Sequence, residues 1–356
     1  MSLYNTLYTG IIENDLRLMW HCVVRHFRDD LSISQIHEEI RIPRTKVSQL
    51  LKEAIRIGMV RIDFDPPRLL QLETGLIDRW GLRDAIVIEA GRDMSFTMRD
   101  IGRAAAPYLE GIIGKLVIDR QKQNKGKPVR ISFACGRTVL EVVQALRPAY
   151  FSKANLHGVG LEIYPLNVSD TAAFAAQFPN LIVSAVKAKW SSDEVTAYNL
   201  VVKHIDRGFE TEEEKLKYLK AHGIHQLFEN ASNADIFVIG IGAFKDINPG
   251  FREILREKGI EQHKLMQLAE GEINYQPFNA RGFLSVEEVP EIHRRLISVS
   301  TLTLKKAAEQ PDKYVLAVAC GLEKVNAVKT SLARNNLCYN ILITDDQVAD
   351  ALLRKG

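Results

Sequence analysis

Two short stretches of this chain carry the same chemistry. "ACGRT", Ala134–Thr138, closes an apolar run and opens a helical pattern, and "ACGLEK", Ala319–Lys324, repeats the arrangement. A glycine between a strand end and a helix start exposes backbone N–H groups at the positive end of the helix dipole, where an anion binds. Gly136 and Gly321 allow close approach. Arg137 and Thr138 add side-chain donors, the guanidinium as a fork suited to phosphate. Lys324 brings an ammonium one turn further on. A carboxylate, Glu272, stands in "GEINYQPFNARG" (271–282) and suits hydrogen bonding to paired hydroxyls. Cys135 and Cys320 each precede one of the two glycines. If the loops met, two thiols would face each other as a redox pair; the plainer reading is two small residues packed beside glycine. A third group, Arg44, Thr45, Lys46, Ser48 and Gln49, lies near the N-terminus of the chain in "PRTKVSQLLKEAIRIG".

The elements that must position these groups follow from periodicity. From residue 84, short apolar runs alternate with helical segments: 85–90, 129–134, 181–188, 235–242, 314–320 and 340–345. Such runs read as strands of a mostly parallel sheet covered on both faces, an α/β architecture of Rossmann-like type. Ligands of open α/β sheets bind at the carboxyl ends of the strands, where both anion loops would fall. "ETEEEKLKYLKAHG" (210–223) reads as a charged, solvated helix. Upstream, "LRLMWHCVVRHF" (16–27) has helical spacing and "VRIDF" (60–64) alternates as a strand. "DPPR" (65–68) breaks regular structure. The expected organisation is therefore 1–65, a linker helix over 66–83, and a large domain over 84–356. The linker helix would set Leu69, Leu72, Leu76 and Ile77 on one side, either to self-associate or to pack on its own domain.

Composition bounds the function. The 356 residues are 46% hydrophobic and 26% charged, with net charge +3. That is too little for general nucleic-acid binding, but the charge is not evenly spread. Residues 41–61 hold six basic residues and one acid, although 1–65 as a whole holds nine of each. The four cysteines have no metal-ligand spacing and suit a reducing compartment. No signal-peptide layout is present, and no apolar run approaches the ~20 residues that span a bilayer. The expected location is the cytoplasm, with no membrane partner. "GIGAF" (240–244) is half a dinucleotide fingerprint and reads as a strand end near the pocket. "HGIH" (222–225) lacks further ligands. No cofactor, metal or catalytic set is expected.

"SISQIHEEI" reads as a short helix capped by Ser32 or Ser34, and Pro43 suits the first turn of a second helix. That second helix puts Val47, Leu50, Leu51 and Ala54 on one face and Arg44, Thr45, Lys46, Ser48 and Gln49 elsewhere. This is a helix-turn-helix pattern of winged type, in which the start of the second helix reaches base edges of double-stranded DNA.

With "LSISQIHEEIRIPRTKVSQLLKEAIRIGMVRI", "FACGRTVLEVVQAL", "ADIFVIGIGAF", "GEINYQPFNARG", "LISVSTLTLKKA", "AVACGLEKVNAVKTSL" and "NILITDDQVADALL" in this order, the chain resembles the SorC family of bacterial sugar-responsive transcriptional regulators over nearly its whole length. The resemblance implies an effector domain similar to phosphosugar isomerases such as ribose-5-phosphate isomerase. It implies that the loop Gly136–Thr138, with Gly321 and Lys324, holds the phosphate of a sugar or polyol effector, and that Glu272 binds its hydroxyls. It also implies operator DNA as partner and a homo-oligomer, dimer or tetramer. Three positions depart from the family: Arg41 stands where it has Gly, Glu272 where it has Asp, and Asn279 where it has Asp. The alternative is a sugar-phosphate isomerase-like enzyme with an accessory N-terminal domain, using Glu272 as base.

Overall fold

The computed structural model describes residues 13–60, 65–123, 126–148, 150–151, 156, 158–168, 179–202, 208–244 and 249–354. The chain divides into two compact units, Met1–Phe64 and Asp65–Gly356.

Among its described residues, the first unit packs three helices on one small core. Helix Glu13–Val23 runs into a single π-turn, Val24–Arg28. Helix Ile33–Ile40 starts at Ser32, whose hydroxyl accepts the Gln35 N–H while the Gln35 side-chain oxygen accepts the Ser32 N–H at 2.9 Å. This reciprocal cap contributes about 1 kcal/mol and selects Ser32 over Ser34. The helix ends at Arg41, which takes a left-handed conformation, φ 55° and ψ 37°. A non-glycine residue costs roughly 1–2 kcal/mol there. The turn is secured by Arg41 N–H donating to His37 O at 2.8 Å and by the His37 ring bonded to Ile42 O at 2.7 Å. Helix Arg44–Arg56 comes next, with Pro43 just before it at φ −56°. Val47, Leu50, Leu51 and Ala54 are buried against Met19, Cys22 and Ile36. The strand expected over 60–64 lies, from residue 61 on, outside the described residues.

The second unit is a mixed α/β fold around a central, mostly parallel sheet. Its strands are β1 (Asp84–Ile88), β2 (Val129–Phe133), β3 (Leu161–Pro165), β4 (Val195–Ala197), β5 (Ile236–Ala243), β6 (Gly271–Ile273), β7 (Gln276–Asn279), β8 (Gly282–Phe283), β9 (Tyr314–Val318) and β10 (Ile341–Asp345). The order β1-β10-β9-β5-β2-β3-β4 is parallel throughout, and β6, β7 and β8 extend β5 as an antiparallel meander. Alternate residues of each central strand serve opposite cores. In β5, Phe237, Ile239 and Ile241 face one side while Ile236 and Val238 face the other; in β9, Val315 and Ala317 oppose Leu316 and Val318. Burial on both faces is why these strands read as unbroken apolar runs rather than alternating ones.

Two sequence expectations change. Residues 181–188, read as a strand, lie in a helix, Pro179–Lys189. Its buried Ile182, Val183 and Val186 keep helical spacing, and Lys187 Nζ donates to Ser192 O and Val195 O just beyond the helix end. A short apolar run cannot be assigned by periodicity alone. The strand is instead β3, "LEIYP", where Glu162 turns outward to accept from Arg130 at 2.8 Å. The segment 66–83 belongs to the second unit rather than standing between units. Its helix, Leu70–Trp80, buries Leu76 completely. Glu73, almost fully buried, accepts a two-pronged bond from Arg68 at 2.7 and 2.9 Å and the Val87 N–H of β1 at 3.0 Å.

Candidate effector pocket

Strand connections leave β2 toward β3 and leave β5 toward β9, in opposite directions along the sheet. The crevice at the carboxyl ends of adjacent strands β2 and β5 is therefore the topological switch point, where such sheets bind ligands. A pocket lies there. The loop after β2 lines it with Cys135, Gly136, Arg137 and Thr138; β5 contributes Gly240 and Gly242; Glu272 and Asn274 enter from the β6–β7 hairpin, and Lys324 from beyond β9.

Gly136 precedes helix Arg137–Ala145 at φ 137° and ψ 153°, a conformation for glycine, and so turns the strand end into the helix start. The first-turn N–H groups of that helix have no intrahelical acceptors. Arg137 and Lys324 are both half-buried, and neither forms an ion pair among the described residues. Two cations that form no ion pair among the described residues thus stand beside the first-turn N–H groups of that helix.

Glu272 supplies the opposite chemistry. Burial pushes its carboxyl up to about 7, against the opposing pull of the Tyr275 N–H, which donates at 2.8 Å, and of Lys324. The carboxylate lies flat over β5 because Gly242, its cross-strand neighbour, has no side chain. A Cβ at 242 would overlap Glu272 Oε1. Gly240 and Gly242, read in the sequence as a strand end near the pocket, line it.

The structure brings Gly136, Arg137, Thr138, Glu272 and Lys324 together, and it leaves Gly321 out of the pocket lining. Gly321 N–H donates instead to the buried Asp345 Oδ2 at 2.7 Å, and a Cβ there would overlap Met94 Cε. A 3₁₀ turn, Leu322–Lys324, then leads into the seven-residue helix Val325–Ser331. The second loop therefore offers its lysine side chain rather than a second cradle of N–H groups. Asp345, which also caps helix Asp346–Leu353 through the Val348 N–H at 2.9 Å, is the positioning residue that sequence reading missed. Asn279 lines a neighbouring cavity of about 640 Å³, locked by its amide donating to Leu268 O and its oxygen accepting Arg281 N–H. Of the two thiols, Cys135 lines the pocket and donates to Tyr275 Oη at 2.9 Å, while Cys320 is fully buried. Burial pushes both up, to about 12 and about 11, so neither is a thiolate near neutrality. Their surroundings favour packing beside glycine over a redox pair.

In the first unit, Arg44, Thr45 and Gln49 are exposed at the start of helix Arg44–Arg56, with Lys46 and Ser48 half-buried. Lys46 Nζ lies 3.8 Å from Asp15 Oδ1. Among the described residues no cluster of three or more His, Cys, Asp or Glu is placed to hold a metal, and no helix is long and apolar enough to cross a membrane.

A family model described as "Putative sugar-binding domain" matches residues 65–354, the whole of the second unit but its last two residues. The full-length sorbitol operon regulator SorC of Klebsiella pneumoniae has the same fold, with TM-score 0.66 over 96% of this chain and 99% of that one, at 20% identity. The chain belongs to the SorC family of sugar-responsive transcriptional regulators. Two curated relatives match along nearly their whole length. The transcriptional regulator LsrR of Enterobacter sp. (strain 638) is 25% identical over 97% of this chain and 95% of its own. The erythritol catabolism regulatory protein EryD of Brucella abortus is 24% identical over 95% of each.

Proposed function

We propose that this SorC-family regulator binds operator DNA through residues 1–65 and is controlled by a phosphorylated sugar or polyol bound at the β2/β5 pocket. The phosphate sits against the N-terminus of helix Arg137–Ala145, with Arg137, Thr138 and Lys324 as donors, and Glu272 accepts hydroxyls. Helices Ile33–Ile40 and Arg44–Arg56 act as the helix-turn-helix, Arg44, Thr45, Lys46, Ser48 and Gln49 reaching the major groove. Pseudo-palindromic operators call for a homo-oligomer, a dimer at least. The observation that carries this reading is the convergence of two cations, Arg137 and Lys324, a helix start and one carboxyl on a single pocket at the switch point. The names of the relatives, regulators of erythritol catabolism and of a sorbitol operon, support a polyol or sugar skeleton.

A Glu272 carboxyl near 7 also suits a catalytic base, which favours the isomerase-like alternative. Against it, Glu272 is the one carboxyl among the described lining residues, and no histidine accompanies it.

The test begins by selecting bound fragments from a random DNA pool with the full chain. Affinity for the selected site is then measured by fluorescence anisotropy across a panel of sugar and polyol phosphates. One compound should change affinity roughly 5- to 150-fold, the usual range of allosteric coupling. Failure to select any sequence, or an affinity indifferent to every phosphorylated compound, would overturn the proposal.

A further inference from the structure

We infer that Arg41, in the turn between helices Ile33–Ile40 and Arg44–Arg56, contacts a phosphate of the DNA backbone. It would be a DNA-binding residue beyond the five on the second helix, and it takes that role only if the first unit binds the operator, as proposed above. Among the described residues, four that are not glycine have positive φ: Asp30, Arg41, Asn274 and Tyr275. Asp and Asn adopt this conformation readily, because their short polar side chains bond locally. Arginine and tyrosine have no such reason, and backbone strain of this kind gathers at ligand sites and persists only where its surroundings hold it. Tyr275 is held from within the chain. It is the second residue of the two-residue turn joining β6 to β7, a place that favours glycine when both φ values are positive. Its ring, 6% exposed, stacks on Phe251 at 5.0 Å and 10°, and its hydroxyl accepts the Cys135 thiol. Arg41 differs. Its side chain is exposed and forms no hydrogen bond or ion pair among the described residues. The bonds that secure its turn, Arg41 N–H to His37 O and the His37 ring to Ile42 O, use no atom of that side chain, so glycine would keep both. The chain bears the cost of a left-handed arginine without using the guanidinium itself.

The surroundings point to an anion. Of the basic residues described between 41 and 60, Lys46 lies 3.8 Å from Asp15 and Arg56 pairs with Glu53. Arg41, Arg44 and Lys52 form no ion pair among the described residues. Glu38, three residues back, would meet Arg41 on a continuing helix; the left-handed residue ends the helix, and the pair does not form. Helix Ile33–Ile40 is closed by the reciprocal Ser32–Gln35 cap, whereas helix Arg44–Arg56 has no side-chain cap at Pro43 and no acid in its first turn. Its positive dipole end is therefore uncompensated, three residues after Arg41. Side chains on the inserted helix reach base edges, and a side chain in the turn before it meets the phosphates that flank the groove. A guanidinium fork matches such a phosphate.

The experiment is fluorescence anisotropy of the full chain at several salt concentrations, with a labelled random-sequence duplex and a duplex selected from such a pool. Wild type is compared with Arg41→Gly and Arg41→Lys. Glycine suits the left-handed turn and removes the guanidinium. Arg41→Gly should lower the log–log salt slope by about 0.9 and weaken both duplexes alike, by about eightfold at ~0.1 M salt. Arg41→Lys keeps the charge and should restore most of the slope. Hydrogen exchange at the amides of residues 33–56, read in the full chain, should be no faster in Arg41→Gly than in wild type, since the turn is relieved of strain. Weaker DNA binding by an equally or better protected fold is a combination that a merely structural role would not give. An unchanged slope in Arg41→Gly would overturn the assignment while leaving the operator-binding unit in place. Faster exchange would also overturn it, by showing that the arginine side chain serves the fold. A loss confined to the selected duplex would put Arg41 at a base edge and refute the phosphate contact. If neither duplex binds the wild-type chain, the operator-binding reading falls and this assignment falls with it.

Discussion

Burial raises the Glu272 carboxyl from an ordinary 4.5 to about 7. Between those values the folded chain keeps a proton that the unfolded chain has released. Stability therefore falls as pH rises through that window, and the loss is complete above about 7. Glu272→Gln should remove this slope, so its unfolding temperature should gain on wild type between pH 5 and 7.5 in a thermal scan. Affinity runs the other way, since the ionised carboxylate is the better hydroxyl acceptor. Wild-type affinity for a phosphorylated polyol should rise through pH 7 relative to the variant, whose curve carries only the phosphate's own titration near pH 6. At the other unit, Arg44 is exposed, whereas Lys46 already lies 3.8 Å from Asp15. If Arg44 meets a phosphate, Arg44→Ala should lower the log–log salt slope of DNA binding by about 0.9. Lys46→Ala should lower it less, because Lys46 must first give up a partner. Slopes measured by anisotropy at several salt concentrations check the order.

At the scale of elements, the pocket depends on close approach between β5 and the β6–β7 hairpin. Gly242→Ala would drive a methyl into the Glu272 carboxylate. The expected outcome is loss of the response to carbohydrate phosphates at unchanged DNA affinity; an unaltered thermal shift with these compounds would contradict it. The same scale shows what the sequence revealed. The central strands were legible because burial on both faces leaves continuous apolar runs, and the meeting of Arg137 and Lys324 at one pocket because both follow strand ends. Residues 181–188 were misread because eight apolar-rich residues fit strand and buried helix alike. Gly321 was misplaced because its use depends on Asp345, twenty-four residues away in sequence and contacted only in the fold. The hairpin tip was hidden for a related reason: Tyr275 stands where turn chemistry expects glycine, so no local signal marked the turn.

At the scale of the whole molecule, a ligand alters DNA binding only if it has different affinity for the forms that bind DNA well and poorly. A coupling of ~1–3 kcal/mol suffices for a 5- to 150-fold change. Arg137→Ala and Lys324→Ala should each abolish that change while leaving basal DNA affinity intact, since both residues lie in the second unit and DNA contact is assigned to the first. The most direct test of the central claim is thermal unfolding of wild type and Lys324→Ala with sugar and polyol phosphates and their unphosphorylated parents. A bound compound at 100 times its dissociation constant stabilises by ~2.7 kcal/mol, a shift of several degrees at most domain sizes. The account predicts a wild-type shift with a phosphorylated compound alone, and its loss in Lys324→Ala. An equal shift with the unphosphorylated parent, or a full shift retained in Lys324→Ala, would contradict it.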